Sequence, residues 1–283
     1  MRSPSRSKSR PIILLTNDDG ISAAGLQDLA KALAPVGDVW VVAPDRERTA
    51  GGHGVTLHKP LRVVTIRSQW CSVNGTPADC VSLAVLQLLP KNPALLVSGM
   101  NRGVNVGDDV IYSGTVAGAR EGMMLGVPSL AVSLEGSTRL SGHEAGKVVR
   151  RLVQTVLRSG LPPETFLNVN VPDVAPGRIS GTRVTRLSRR RFDDPIIEKI
   201  DPHGRPYYWI AGTRVTWKRD PDSDVVALQN RYISVTPLHV DATQESALPA
   251  LRDRLDSTGM RRASKQAGKA RRPGSRAVSR STR

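Results

Sequence analysis

The strongest pattern in the chain is a series of short apolar runs, each ending abruptly in polar residues. Residues 12–15, 39–43 and 94–97 are runs of this kind, and 129–134 and 166–171 read as further strands. Short unbroken apolar runs read as strands buried on both faces, as in a parallel sheet. Between them the apolar positions recur with helical period. In 22–34 they are Leu26, Leu29, Ala30 and Leu33; in 141–158 they are Ala145, Val148, Val149, Leu152, Val153, Val156 and Leu157. A helix over 76–89 has Thr76 at its N-cap, Pro77 at its first position and Asp79 in its first turn, all favourable there. A helix of small residues covers 116–125, and residues 61–66 and 70–73 look like outer strands of a hairpin. Strand and helix alternate through residue 171. This predicts an α/β fold with a doubly wound, mostly parallel sheet.

The pattern changes after residue 182. Residues 182–187 and 232–238 read as strands and 244–256 as a closing helix. The segment 188–220 holds half of the aromatics, Phe192, Tyr207, Tyr208, Trp209 and Trp217, with few apolar runs. It reads as a protruding β arm. Such an arm buries little core by itself and is expected to pack on a partner chain.

Chemistry concentrates where the strands end. Residues 12–15 run into Thr16-Asn17-Asp18-Asp19-Gly20. Ligands of open α/β sheets bind at the carboxyl ends of the strands. Two adjacent carboxylates repel, and a hard divalent cation such as Mg²⁺ or Mn²⁺ between them relieves that repulsion. Asn-Asp-Asp-Gly is also ordinary turn chemistry, so this stretch alone leaves both readings open. Two further polar loops follow buried strands, at 45–54 and 98–109. Parallel strands would bring all three loops to one edge. Ser113-Gly114-Thr115 opens the small-residue helix, and a helix N-terminus with hydroxyls suits a phosphate. Carboxylates, a cation and a phosphate cradle together indicate metal-assisted phosphoryl chemistry.

Composition narrows the class. The chain has 283 residues and a formal net charge of +16. Residues 1–10 contribute +4 and residues 257–283 contribute +9, leaving +3 for the body. The basic character therefore belongs to two Ser/Arg/Gly/Pro-rich tails, read as disordered, through which alone nucleic acid or another polyanion would bind. Solubilising extensions with no specific partner is the favoured reading of them. No apolar run is long enough to span a membrane, and the protein is expected in the cytoplasm. Cys71 and Cys80 match no metal spacing and fit a reducing compartment. There is no P-loop, no Gly-x-Gly-x-x-Gly fingerprint and no Gly-x-Ser-x-Gly elbow, which argues against an NTPase, a dinucleotide enzyme and a Ser-His-Asp hydrolase.

Several longer motifs occur in order: Asn17-Asp18-Asp19-Gly20, Ala43-Pro44-Asp45-Arg46, residues 75–81, residues 97–103, residues 107–117, and Val235-Thr236-Pro237-Leu238. Together they resemble the SurE family, the survival-protein nucleotidases, from about residue 12 to about residue 255. The resemblance implies a Rossmann-like domain and a homodimer, or dimer of dimers, exchanging C-terminal arms. It implies a divalent-metal phosphomonoesterase acting on nucleoside 5′- or 3′-monophosphates, with polyphosphate as a further substrate of some members. One metal ion per subunit, Mg²⁺ or Mn²⁺, would be held by Asp18, Asp19, Thr49 and Asn101. Thr49 stands where the family usually has Ser. Asp18, Asp19 and Asn101 would be catalytic, and Asn105, Ser113, Gly114 and Thr115 would contact phosphate. A polyanion-binding protein acting through the tails and a catalytically silent nucleotide sensor are the competing readings.

Overall fold

The computed structural model describes residues 10–136, 138–175, 177–191, 196–209, 216–218 and 220–257. The basic tails, apart from Arg10 and Ser257, and Phe192 lie outside the described residues.

Among the described residues the main sheet has nine strands. Its centre is β1 (Ile12–Thr16), flanked in parallel by β2 (Asp38–Pro44) and β5 (Leu95–Arg102). Beyond β5 lie β6 (Ser129–Leu134) and β7 (Phe166–Val171), both parallel. Beyond β2 the hairpin of β3 (Val63–Arg67) and β4 (Trp70–Val73) closes one edge. β13 (Tyr232–Leu238) pairs antiparallel with β7, and β8 (Gly181–Val184) closes the other edge.

Both faces are covered, as unbroken apolar strands require. Along β1, Ile13 and Leu15 join one core and Leu14 the other. The first core is completed by α1 (Ala24–Leu33) and α4 (Gly142–Ser159), the second by α2 (Pro77–Leu83) and α3 (Gly114–Met124). Each fully buried Leu or Ile contributes about 1.5–3 kcal/mol, so β1 anchors both layers. Thr76 caps α2 in a reciprocal box with Asp79. The helix then widens into π-type turns over Ala84–Leu88 instead of continuing unchanged.

Two elements depart from the sequence pattern. β5 does not stop at Val97. It bulges between Ser98 and Asn101 and pairs on with β6, Asn101 opposite Ser133. Gly99 makes the bulge feasible: its φ is +141°, and a Cβ there would lie 2.3 Å from the Val132 carbonyl oxygen. A short helix, α5 (Asp224–Gln229), precedes β13 where none was read.

The arm segment is built of short strands. β9 (Arg190–Arg191) pairs with β12 (Thr216–Trp217), and β10 (Ile197–Ile200) pairs with β11 (Pro206–Trp209), both antiparallel. Tyr207, Tyr208 and Trp209 are exposed. The described residues from Asp241 onward form a second compact unit containing α6 (Leu248–Ser257). Among the described residues no helix is long and apolar enough to cross a membrane.

Candidate active site

Strand order reverses at β1: the chain leaves it for β2 on one side and later returns to β5 on the other. Ligand crevices form at such a switch point. Here it collects the loops after β1, β2 and β5.

Asn17 closes the first loop. Its Nδ2 donates to the Gly20 carbonyl at 3.0 Å, and the Gly20 N–H donates back to its Oδ1 at 3.2 Å. Gly20 has φ +97°, and a Cβ there would stand 3.0 Å from the Arg46 backbone. The turn projects Asp18 and Asp19 past the strand end. Asp18 is buried, at 3% exposure. Its carboxylate accepts the Thr115 hydroxyl, and its carbonyl accepts the Arg48 N–H at 2.7 Å, tying down the second loop. Gly114 lets α3 approach this closely, since a Cβ there would lie 2.9 Å from Asp18 Oδ2.

The second loop supplies Thr49, exposed, whose hydroxyl donates to Glu47 Oε1 at 2.6 Å. A hydroxyl that has given its proton away keeps its lone pairs for a cation. From the end of β5 comes Asn101, whose Nδ2 donates to the Gly103 carbonyl at 2.8 Å. That leaves its Oδ1 as the remaining acceptor.

The loop between β5 and α3 holds Asn105, buried at 9% exposure. Its N–H donates to Asn170 Oδ1 at 2.8 Å, and its carbonyl accepts from Asn168 and Asn170 Nδ2. Its own Nδ2 donates to Ser133 Oγ at 2.7 Å. Ser113 caps α3, accepting from the Val116 N–H at 3.1 Å. Ahead of that bond, the first-turn N–H groups of Gly114 and Thr115 have no carbonyl partner inside the helix.

Asp18, Asp19, Thr49, Asn101, Asn105 and Ser113 all line one cleft of about 510 Å³. Gly114 and Thr115 do not line it. Thr115 is wholly buried, with its hydroxyl on Asp18, and Gly114 packs against the Asp18 side chain. Glu47, Arg102, Asp109 and Tyr112 also line the cleft and are not among the expected site residues. Their signal was present: Glu47 is two residues from Thr49 and Arg102 follows Asn101.

The family model described as "Survival protein SurE" matches residues 13–194, well over half of the chain. The chain belongs to the SurE family. It is 50% identical over 240 residues to the 5′-nucleotidase SurE of Moorella thermoacetica, covering 83% of this chain and 92% of that protein. It is 48% identical over 241 residues to the 5′-nucleotidase SurE of Pelobacter propionicus, covering 84% and 97%. The crystal structure of the SurE protein from Aquifex aeolicus superposes with a TM-score of 0.79 at 42% identity, over 86% of this chain and 99% of that one. SurE likeness thus extends over the strands and loops that build the cleft.

The charge state of this SurE cleft bears on what it can hold. Burial raises the Asp18 carboxyl above its ordinary range, against the Thr115 hydrogen bond, which lowers it. Burial raises Asp19 to about 6, helped by the charges of Asp18 and Glu47 and opposed by Arg102. Both groups resist ionising without a counter-charge, and a cation supplies one. Among the described residues no cluster of three or more His, Cys, Asp or Glu gathers for a metal. The four residues expected to hold the ion, Asp18, Asp19, Thr49 and Asn101, offer two carboxylates, a hydroxyl and an amide oxygen. That all-oxygen set suits a hard divalent cation and not zinc.

Proposed function

We propose that the chain is a 5′-nucleotidase, a divalent-cation-dependent phosphomonoesterase that hydrolyses nucleoside 5′-monophosphates to nucleoside and phosphate. One observation carries the reading: an all-oxygen donor set, Asp18, Asp19, Thr49 and Asn101, lines one cleft with Asn105 and Ser113 at the start of α3. The relatives named 5′-nucleotidase SurE, at 48–50% identity over most of the chain, support it.

Asp18, Asp19, Thr49 and Asn101 would hold the ion. When bound, Mg²⁺ or Mn²⁺ neutralises phosphate oxygens and acidifies water. Asp18, fixed by Thr115, is the stationary anion of the pair. Asp19, half-buried and open to the cleft, orients the attacking water. The Asn105 amide and the Ser113 hydroxyl at the N-cap of α3 receive the phosphate. The arm with exposed Tyr207, Tyr208 and Trp209 supports a homodimer built through that segment. Nucleoside 3′-monophosphates and polyphosphate are further candidate substrates of the same cleft.

Phosphate release from a panel of 5′- and 3′-mononucleotides and polyphosphate tests this, with Mg²⁺ or Mn²⁺ and after EDTA and dialysis. Release from 5′-mononucleotides that needs added metal is expected. No release with either metal refutes the nucleotidase reading, and full activity after chelation refutes the metal.

A further inference from the structure

We propose that the base of the arm positions the phosphate-receiving loop, with Asp224 as the positioning residue; the inference rests on the phosphomonoesterase reading above. Asp224 is wholly buried, although α5 is already capped by Ser223, whose hydroxyl accepts from the Val226 N–H. A buried carboxylate is costly unless donors surround it. These donors come from three separate segments. Oδ2 accepts the Gly107 N–H at 2.8 Å, while Oδ1 accepts the Ser188 N–H at 3.0 Å and the Val225 N–H at 2.8 Å. Gly107 lies between Asn105 and Asp109 of the cleft, Ser188 opens the arm, and Val225 belongs to α5. One carboxylate thus fastens the site loop to the arm.

Packing at Gly107 adds a second, independent contact. A Cβ there would lie 2.3 Å from the Trp217 ring and 2.7 Å from the Ser188 carbonyl oxygen. Ser188 is on the outgoing leg of the arm and Trp217 on the returning leg. The two legs are held together by the β9–β12 pairing and by the Lys218 N–H on the Arg189 carbonyl at 2.8 Å. Gly107, with φ +53°, is clasped between both legs and hydrogen-bonded to Asp224. Displacing the arm base moves Gly107, and with it Asn105, two residues before. Asp18, Asp19 and Thr49 belong to other loops and Asn101 to the end of β5, and Asp224 is hydrogen-bonded to none of them. Arm position is therefore coupled to phosphate affinity and not to metal affinity. Coupling of binding energies is reciprocal, so phosphate in the cleft also favours the docked arm base.

The experiment uses full-length protein and two variants. Asp224→Asn has nearly the same shape, but whichever way the amide turns, either Gly107 or Ser188 meets a donor in place of an acceptor. Trp217→Leu removes the ring from Gly107 and leaves every Asp224 hydrogen bond in place. Calorimetry measures the affinity for Mn²⁺ alone, then for orthophosphate with Mn²⁺ saturating. For Asp224→Asn, orthophosphate affinity and KM are expected to worsen tenfold or more, with Mn²⁺ affinity and kcat within threefold of the parent. Trp217→Leu is expected to shift the same quantities in the same direction by a smaller factor, and it decides alone if Asp224→Asn proves insoluble. Unchanged orthophosphate affinity in the variants overturns the inference. So does an equal loss of Mn²⁺ and orthophosphate affinity, which is general loosening. A parent protein that binds Mn²⁺ but no orthophosphate overturns the functional reading beneath it, and this inference with it.

Discussion

Asp19→Asn separates the cost of the paired carboxylates from their use. In the metal-free protein the Asp19 carboxyl is lifted from 3.8 to about 6 by burial and by the charges of Asp18 and Glu47. The folded state therefore holds this proton more tightly than the unfolded chain does. Between about pH 4 and 6 the folded form carries more protons, so unfolding free energy falls as pH rises through that window. Taken whole, the lift corresponds to about 3 kcal/mol. Asp19 is only half-buried, and solvent screening reduces the effect to about 1–1.5 kcal/mol. Asn carries no proton to lose. Metal-free Asp19→Asn is expected to match the parent below pH 4 and to melt about 2–5 °C higher at pH 7.

Metal reverses the ranking. A unit charge near a cation at ~4 Å and an effective dielectric of ~20 contributes about 4 kcal/mol per unit charge on the cation. Losing it is expected to weaken Mg²⁺ binding by about a thousandfold or more and to cut turnover by orders of magnitude at ordinary Mg²⁺. Melting curves from pH 3.5 to 8 with EDTA, followed by Mg²⁺ titrations of stability and turnover, check both halves. A melting difference that does not depend on pH refutes the electrostatic account. Near-parent turnover at ordinary Mg²⁺ shows that Asp19 is not a ligand.

For the parent, Mg²⁺ affinity measured calorimetrically should fall as pH drops below about 6, because the ion must displace the Asp19 proton; pH-independent affinity down to 5 counts against this. Thr49→Ser should titrate with Mn²⁺ like the parent, and Thr49→Val should bind Mn²⁺ more weakly with an unchanged melting temperature; the reverse order means that the methyl group, not the hydroxyl, matters. Replacing the outer hairpin, residues 196–209, by a short glycine turn should remove exposed Tyr207, Tyr208 and Trp209 and shift sedimentation from dimer to monomer or aggregate; a parent that sediments as a monomer refutes arm exchange. Removing residues 1–10 and 258–283 should leave turnover and melting temperature nearly unchanged while any nucleic-acid affinity drops; loss of phosphatase activity makes the tails part of the catalytic unit.

The middle of the sheet was legible because β1, β2 and the first half of β5 carry unbroken apolar runs buried in the core. β6, β7 and β13 start and stop at the expected bounds although each carries polar residues. Where another force decides, the pattern falls silent. β5 continues through polar Ser98 and Asn101 because β6 offers it backbone partners, which hydrophobicity does not record. α5 buries just three residues, Asp224, Ala227 and Leu228, too few to show a period. Its Asp224 reads as one more acidic residue in a polar stretch, and its partner Gly107 is 117 positions away.

The same distinction divides the site. Asp18 and Asp19 were readable because they follow a recognisable strand, and parallel strands deliver their ends to one edge. The 98–109 loop was readable in the same way, but Asn101 and Asn105 within it are singled out only by the resemblance to the SurE family. The supports were not, since they depend on contacts across the sequence. Thr115 sits 97 positions from the carboxylate that its hydroxyl meets. It was read as a phosphate contact from its place at the start of α3, and it faces inward because Gly114 lets the helix close onto Asp18. This changes what the start of α3 can do. Ser113 lines the cleft and Gly114 and Thr115 do not; what these two residues supply in the structure is a fixed Asp18. Thr115→Val should therefore act through the neighbouring carboxylate. It leaves the backbone donors in place and removes the hydroxyl that helps hold Asp18 ionised, so metal-free Asp18 binds its proton more tightly. Mn²⁺ affinity should fall, most at low pH, while orthophosphate affinity at saturating Mn²⁺ stays near the parent value. Weakened orthophosphate binding with unchanged Mn²⁺ binding would return Thr115 to the phosphate site.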